Sequence, residues 1–295
     1  MKKLSITALC SLVLFISGVN AQISMGSLSM PGSESNRSPI DKLLFIVQYE
    51  MAFIQDTSTP DQVSEETMIL KVGERTSMFY SYTKYVTDSL LREQAARSGG
   101  MIMRQERGGM GGSSNQGQVN YQIYKNYPEG KVTTLDRIGP SQFRVEETNE
   151  CPEWEIISDT TTTILSYLCY RATCSFKGRD YVVWFTPDFP RSEGPWKLCG
   201  LPGLILYAED SRQHFVFECT GLLNAQPDEM IMYGADNYEP VSRRNLNRAY
   251  ERFATDPIGY TTSSSPNIQI RMMGPDGQQM NPKNIPYNPI ELSEE

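Results

Sequence analysis

The feature that most constrains the fold is a series of short segments rich in β-branched and aromatic residues, separated by turn sequences. Such segments are typical of β-strands. They lie at residues 42–49, 68–72, 77–82, 121–125, 131–137, 142–147, 161–176, 179–186, 204–208 and 214–219. Hairpin turns join many of them, and the alternating helices that parallel sheets require are missing. The pattern predicts a mainly β protein with one curved antiparallel sheet, a bowl or half barrel, and one or two helices.

The strongest helical pattern spans residues 240–255. Pro240 suits a first helical turn. An apolar stripe follows at Leu246, Ala249, Tyr250 and Phe253. A second, shorter helix is predicted over residues 83–97.

Composition sets the expected domain boundaries. Residues 22–40 and 98–118 are rich in Gly, Ser and Met, and residues 257–295 are rich in Pro, Asn and Gly. Such segments lack the apolar side chains that fix a fold. We therefore expect one β domain over residues 41–256, with a flexible N-terminus, a disordered insertion at about 98–118 and an extended or disordered C-terminal tail.

The N-terminus predicts export. Lys2 and Lys3 precede an apolar stretch over residues 4–16, and Ala21 ends a segment of small residues. This order is that of a signal peptide, here residues 1–21. No later stretch has the length and apolarity of a membrane span. We expect a protein of the periplasm, the outer-membrane surface or the extracellular space.

The charge and the motifs limit the classes of function. Loss of Lys2 and Lys3 changes the net charge from −8 to −10, which disfavours nucleic-acid binding. The chain lacks the sequence signatures of a serine hydrolase, a zinc protease, a phosphate loop or a dinucleotide-binding fold, and His214 is its single histidine. No cofactor is predicted, and a non-catalytic protein is favoured over an uncharacterised hydrolase.

Five cysteines follow the signal peptide, in an exported protein where disulfides form readily. Because the number is odd, at least one thiol stays free or pairs between chains. The preferred pair is Cys199 with Cys219, which flank one hairpin, and the alternative is Cys169 with Cys219. A structural role is favoured over metal binding.

A glycine- and proline-rich segment precedes the strand at 204–208. It contains Gly194, Pro195, Trp196, Gly200, Leu201, Pro202, Gly203, Leu204 and Ile205. Prolines fix φ and glycines permit angles closed to other residues, so a rigid turn is expected with Trp196 as its packing anchor. The turn is either a loop shaped for a ligand or a corner that sets the entry of the next strand.

The string from Gly200 to Ile205 resembles the signature of the GLPGLI family of exported Bacteroidota proteins. The resemblance extends through residues 164–172, 178–190 and 194–196. Ser166 departs from it, since the family commonly has Gly before the tyrosine. The resemblance implies a curved antiparallel β domain similar to the bowl-like N-terminal domain of some bacterial peptide-N-glycosidases. The family offers no established catalytic residues to transfer.

These observations predict a non-catalytic binding or accessory protein of the bacterial envelope, for an unknown glycan, peptide, lipid or protein partner. Aromatic rings with one polar edge suit such ligands, and the candidate lining residues are Tyr167, Tyr181, Trp184 and Trp196. Copper or soft-metal handling is the alternative, since thioethers favour Cu(I). The candidate ligands are Met101, Met103, Met110, Met272, Met273 and Met280.

Overall fold

The computed structural model describes residues 37–86, 119–264, 272–273, 279–280 and 284–292. Its strands are β1 (Ser38–Ile54), β2 (Val63–Gly73), β3 (Ser77–Ser81), β4 (Gln122–Lys125), β5 (Lys131–Ile138), β6 (Ser141–Thr148), β7 (Glu155–Ile164), β8 (Tyr167–Phe176), β9 (Arg179–Thr186), β10 (Leu204–Asp210), β11 (Phe215–Asn224), β12 (Met230–Tyr233), β13 (Glu239–Pro240), β14 (Met272–Met273) and β15 (Gln279–Met280). Its named helices are α1 (Arg243–Thr255) and α2 (Pro257–Ser264).

One open, curled sheet holds thirteen of these strands, which confirms the predicted fold class. Its order is β13-β6-β5-β4-β3-β2-β1-β11-β10-β9-β8-β7, with β12 paired to β1. The pairs are antiparallel except for the short β13–β6 contact. Strand β1 joins the two halves of the sheet, because it pairs with β2 on one edge and β11 on the other.

The segment predicted as one strand over residues 161–176 is two strands, β7 and β8, joined by a tight turn. Leu165 and Ser166 form that turn, with φ values of 49° and 71°. Two-residue hairpins favour this conformation, and glycine adopts it with least strain. The position where the family commonly has Gly is therefore one that needs a positive φ.

The two faces of the sheet bury different clusters. On β1, Val47, Tyr49, Met51 and Phe53 join the largest cluster, whereas Ile46 joins a second cluster on the opposite face. This alternation follows from the two-residue period of a strand. We call the face that carries the largest cluster the inner face.

Helix α1 packs near one edge of the sheet. Ser242 caps it by accepting a hydrogen bond from the Asn245 backbone N–H, so it begins three residues after Pro240. The predicted apolar stripe is confirmed, because Leu246, Ala249, Tyr250 and Phe253 pack against Ile138, Val145 and Tyr260.

Two expected boundaries differ from the structure. Strand β1 begins at Ser38, inside the segment expected to be flexible. Residues 257–264 form helix α2, and residues 284–292 pack against the domain, where an extended or disordered tail was expected. The signal peptide and the insertion at 98–118 lie outside the described residues, and residues 82–86 are helical where the 83–97 helix was expected. Among the described helices, none has the length and apolarity of a membrane span.

Candidate functional site

A cleft of about 170 Å³ lies on the inner face, between the sheet, helix α1 and residues 284–292. We call it the inner cleft, and residues 284–292 the C-terminal segment. Its apolar and aromatic lining is Met51, Phe53, Val119, Tyr121, Ile123, Trp196, Phe215, Tyr250, Pro286, Tyr287, Pro289 and Ile290. Its polar lining is Gln55, Asn120, Thr134, Asp136, Arg243, Asn247, Asn288 and Glu291. An apolar concavity with a few convergent polar groups is the usual form of a small-molecule site.

Arg179 holds the C-terminal segment over the sheet. Its Nε donates to the Ile290 carbonyl at 2.9 Å, and its Nη2 donates to the Asn288 Oδ1 at 2.9 Å and the Pro289 carbonyl at 2.6 Å. Its Nη1 pairs with the buried Asp210 carboxylate at 2.9 Å. One guanidinium therefore uses its fixed fork of donors to join strand β9 to the outer wall of the inner cleft.

Four charged side chains form an ion-pair cluster at one end of the inner cleft. Lys197 Nζ lies 2.7 Å from Glu147 Oε2 and 2.6 Å from Glu291 Oε1. Arg243 Nη2 lies 2.7 Å from Glu147 Oε2 and 3.5 Å from Glu291 Oε1. The cluster thus connects the glycine-rich turn, strand β6, helix α1 and the C-terminal segment.

The cluster shifts the pKa of its members. Burial opposes the ionised form of Glu147, but the hydrogen bonds and charges of Arg243 and Lys197 outweigh it and lower its pKa to about 2. Burial lowers the pKa of Lys197, and the neighbouring carboxylates Glu291 and Glu147 counteract part of that effect. Glu147 therefore stays ionised across the physiological range.

Asp136 is a further carboxylate of the inner cleft, on strand β5, and is only 3% exposed. Its Oδ2 accepts a hydrogen bond from the Tyr250 hydroxyl at 2.7 Å, and its Oδ1 accepts one from the Arg137 backbone N–H at 2.7 Å. Burial raises its pKa to about 6, although both hydrogen bonds and the charge of Arg243 act in the opposite direction. Asp136 therefore changes protonation near neutral pH.

Glu291 carries the unsatisfied polar atom of the inner cleft. The residue is 7% exposed, and its Oε1 faces Lys197 and Arg243. Within the described part of the chain, its Oε2 is buried without a hydrogen-bond partner. A buried carboxylate oxygen normally has a partner, so this atom marks a position where a donor would be stabilised.

The glycine-rich turn is a packed corner between β9 and β10. A Cβ atom at Gly203 would lie 2.2 Å from the Thr186 carbonyl oxygen, and one at Gly200 would lie 2.8 Å from the Cys151 Cβ. Lys125 fixes the turn from outside, because its Nζ donates to the Gly194 carbonyl at 2.8 Å and pairs with Glu193 at 2.6 Å. The corner delivers two side chains to the inner cleft region, Trp196 and Lys197.

The four predicted lining aromatics do not form one surface. Trp196 is 1% exposed and lines the inner cleft. Tyr181 is buried behind it, with ring centroids 6.1 Å apart. Tyr167 packs on Phe189 at 5.0 Å and, like Trp184, is partly buried against the main core. A ligand role for these four residues stays a prediction.

The predicted disulfide pairings are wrong. Cys199 bonds Cys151, which lies 48 residues earlier. Cys169, Cys174 and Cys219 are free thiols, of which Cys169 and Cys219 are buried and Cys174 is half-buried. Cys199 lies in the turn before β10 and meets Cys151, which precedes β7, whereas Cys219 lies on β11. A disulfide agrees with the predicted export.

Other predicted candidates remain untested. Met101, Met103 and Met110 lie outside the described residues. Met272 pairs with Met280 across the β14–β15 hairpin, and Met273 pairs with Gln279. His214 lies beside Arg179, with His214 Nδ1 3.5 Å from the Arg179 Nη1. In the described ranges, no group of three or more His, Cys, Asp or Glu side chains could hold a metal ion.

Sequence reasoning missed the polar groups of the inner cleft. Thr134 and Asp136 alternate with Leu135 on β5, a pattern that equally suits a strand with one exposed polar face, but the structure buries all three. Arg243 lies in the first turn of the helix that was predicted over residues 240–255. Glu291 could not be predicted, because nothing local shows that the C-terminal segment returns to the sheet.

A comparison with models of protein families finds a match to the segment that contains the glycine-rich turn. Residues 177–207 match a family model described as a protein of unknown function, Porph_ging. No curated protein matches the chain.

Two solved structures of PNGF-II are among those that match the chain. One, in space group C2, is 13% identical, with a TM-score of 0.42, and the match covers 68% of this chain and 30% of that one. The other, in space group P21, is 12% identical, with a TM-score of 0.45 and coverage of 70% and 32%. The chain therefore spans about a third of the length of these solved structures. Over residues 177–207, the predicted resemblance to the GLPGLI family is confirmed by the match to the Porph_ging model.

Proposed function

We propose that this protein is a non-catalytic binding or accessory protein of the bacterial envelope, and that it holds a small polar ligand in the inner cleft. The observation that carries the proposal is a cleft of about 170 Å³ between three elements that are held together by buried charges. The predicted signal peptide and the disulfide support the envelope as its location.

The volume bounds the ligand. An engineered apolar cavity of about 150 Å³ holds one benzene molecule. A site of about 170 Å³ therefore suits a ligand, or one end of a longer ligand, of similar size. A lysine side chain or a small amine fits this limit, whereas an extended glycan would have to lie mostly outside.

The geometry favours binding over catalysis. Arg243 and Glu291 line the inner cleft and are fixed by ion pairs with Glu147 and Lys197, and a preorganised polar wall of this kind reduces the ordering cost of binding. A hydrolase is the second candidate, and the pKa of about 6 at Asp136 favours it, because general acids have pKa values near the operating pH. Turnover of any ester, amide or glycoside that is lost in Asp136→Asn would favour the hydrolase.

The test uses protein purified from the envelope of its host under native conditions. Asn247 lines the inner cleft on α1, so Asn247→Trp fills it, whereas Asn245→Trp places the same ring at an exposed position of the same helix. Each sample is denatured, and the released small molecules are identified by mass spectrometry.

We expect one compound to leave wild type and Asn245→Trp in stoichiometric amount and to be at least tenfold depleted in Asn247→Trp. Equal recovery from all three proteins, or no released compound from wild type together with no stabilisation by an envelope extract, would overturn the proposal.

A further inference from the structure

We propose that the ligand of the inner cleft is a compact organic cation, whose primary ammonium group lies between Asp136 and Glu291. The inference rests on the proposed function and names the chemical class of its ligand. It is carried by an excess of acidic groups at the cleft, and by a buried carboxylate oxygen that has no partner among the described residues.

The charges of the inner cleft do not balance. Asp136, Glu291 and Arg243 line the inner cleft, and Glu147 and Lys197 belong to the adjoining ion-pair cluster, so three carboxylates share two cations. Lys197 and Arg243 both contact Glu147 and Glu291. Within the described ranges, the hydrogen-bond partners of the Asp136 carboxylate are a hydroxyl and a backbone N–H. The third carboxylate therefore either takes up a proton or accepts an external cation.

The orphan Oε2 of Glu291 indicates the position of that cation. Glu291 uses Oε1 for both of its ion pairs, so Oε2 is available for a new donor. An ammonium group carries three donors, which would suffice for Glu291 Oε2 and Asp136 together. A donor at this position would remove the cost of a buried unsatisfied carboxylate oxygen.

Aromatic rings line the same cleft as the acids. Tyr250 stacks on Tyr287, with centroids 5.0 Å apart and planes 6° apart, and Tyr121 and Trp196 line the same cleft. Ring faces attract cations, and the attraction is largest where water is excluded. Met51, Phe53 and Phe215 supply an apolar floor for the body of the ligand.

Among the described residues, Arg243 is the cation that lines the inner cleft, and its charge is already neutralised. Its guanidinium donates to Glu147 at 2.7 Å and 3.3 Å and to Thr134 at 3.3 Å. An anionic ligand would meet this occupied guanidinium and the carboxylates of Asp136 and Glu291, which is unfavourable. A neutral ligand would satisfy Glu291 Oε2 and leave the charge of Asp136 uncompensated.

Binding of a cation beside Asp136 favours its ionised form, so the pKa of Asp136 falls below about 6 when the ligand binds. A proton therefore leaves on binding where Asp136 is protonated in the free protein. Affinity for the cation is highest above the pKa of free Asp136 and weakens as the pH falls below it.

Three probes of one shape test the charge, namely benzylamine, benzyl alcohol and benzoate, titrated into the full chain by calorimetry at pH 7.5 and pH 5. At pH 7.5 we expect benzylamine to bind at least tenfold more tightly than benzyl alcohol, and benzoate not to bind. At pH 5 we expect the affinity for benzylamine to fall about tenfold. Proton release should make the measured binding enthalpy depend on the ionisation enthalpy of the buffer.

Two variants test the position. We expect Glu291→Gln and Asp136→Asn each to weaken benzylamine at least tenfold and to leave benzyl alcohol unchanged. Glu251→Gln, at an exposed position of α1, is the matched control and should bind as wild type does. Circular dichroism establishes folding of each variant, and Asp136→Asn keeps the test valid if Glu291→Gln does not fold.

The ammonium group has two possible sources, a free amine or a lysine side chain of a peptide. Nα-acetyl-lysine amide is titrated beside benzylamine, and the tighter binder of the two identifies the source.

Three results would overturn the proposal of a cationic ligand. They are equal or tighter binding of benzyl alcohol or benzoate, no binding of either amine, and unchanged benzylamine affinity in both variants. If benzyl alcohol binds as tightly as benzylamine and Asn247→Trp blocks that binding, the inner cleft is a binding site but its ligand is not a cation.

Discussion

The Lys197 Nζ lies 2.6 Å from the Glu291 Oε1, and this contact joins the glycine-rich turn to the far C-terminal segment. Both side chains are almost fully buried, with 4% and 7% of their surface exposed. The turn therefore does more than set the entry of β10, because it places one end of an ion pair that closes the inner cleft.

Removal of the Lys197 charge tests this contact. Lys197→Met keeps the length of the side chain but leaves Glu147 and Glu291 with fewer partners in a buried site. We expect a loss of about 3–5 kcal/mol in the free energy of unfolding, measured by urea denaturation.

The control is Lys131→Met, at an exposed end of β5, which should change stability by less than about 0.5 kcal/mol. Similar midpoints for the two variants would contradict a structural role for the Lys197–Glu291 pair.

Asp136 predicts an unusual pH dependence of stability. Its pKa is raised to about 6 in the folded protein, so the folded state binds more protons than the unfolded state between about pH 4 and about pH 6. The contribution of Asp136 to the free energy of unfolding is therefore fully present at about pH 4. It falls by up to about 3 kcal/mol as the pH rises to about 6.

Asp136→Asn removes this contribution. The difference in unfolding free energy between wild type and Asp136→Asn should change by that amount across the window. Asp61→Asn, at an exposed turn, should give a flat difference curve. A flat curve for Asp136→Asn would show that Asp136 titrates normally.

The glycine-rich turn predicts a sharp steric effect. Gly203→Ala would bring a Cβ to within 2.2 Å of the Thr186 carbonyl oxygen, and this backbone atom cannot move without disturbing the β9–β10 pairing. We expect a loss of about 1–3 kcal/mol or more.

Gly221→Ala is the matched change, because the nearest atom to its new Cβ would be 3.9 Å away. It should be tolerated in thermal melts. Equal melting temperatures for the two alanine variants would show that the corner is not tightly packed.

The disulfide predicts sensitivity to reduction. Cys151–Cys199 closes a loop of 48 residues, and the chain-entropy model gives about 4 kcal/mol for a loop of this length. Reduction or Cys151→Ser should lower the free energy of unfolding by up to that amount. Cys174→Ser, which removes a free thiol, should melt as wild type does under oxidising conditions, and a loss equal to that of Cys151→Ser would argue against the bond.

The fold was predictable because strand periodicity and turn composition are local signals. The predicted strands at 179–186, 131–137 and 204–208 became β9, β5 and β10 with small changes at their ends. The β7–β8 turn was missed because Leu165 and Ser166 carry a positive φ without the glycine that would have marked it.

The site was less predictable because its parts meet only through tertiary packing. Trp196 was selected from the turn, but the pairing of Cys199 with Cys151 depends on where the turn folds back. Glu291 reaches the inner cleft through backbone contacts of its neighbours with Arg179, a link across more than a hundred residues. Spacing along the chain carries no information about such contacts.

The most direct test of the account is a crystal structure of the protein purified natively from its host envelope. The account predicts defined, non-solvent electron density in the inner cleft, in contact with Asp136, Trp196 and Glu291. The contradicting result is a natively purified protein whose ligand is bound outside the inner cleft. In that case the cleft would contain only protein side chains or water.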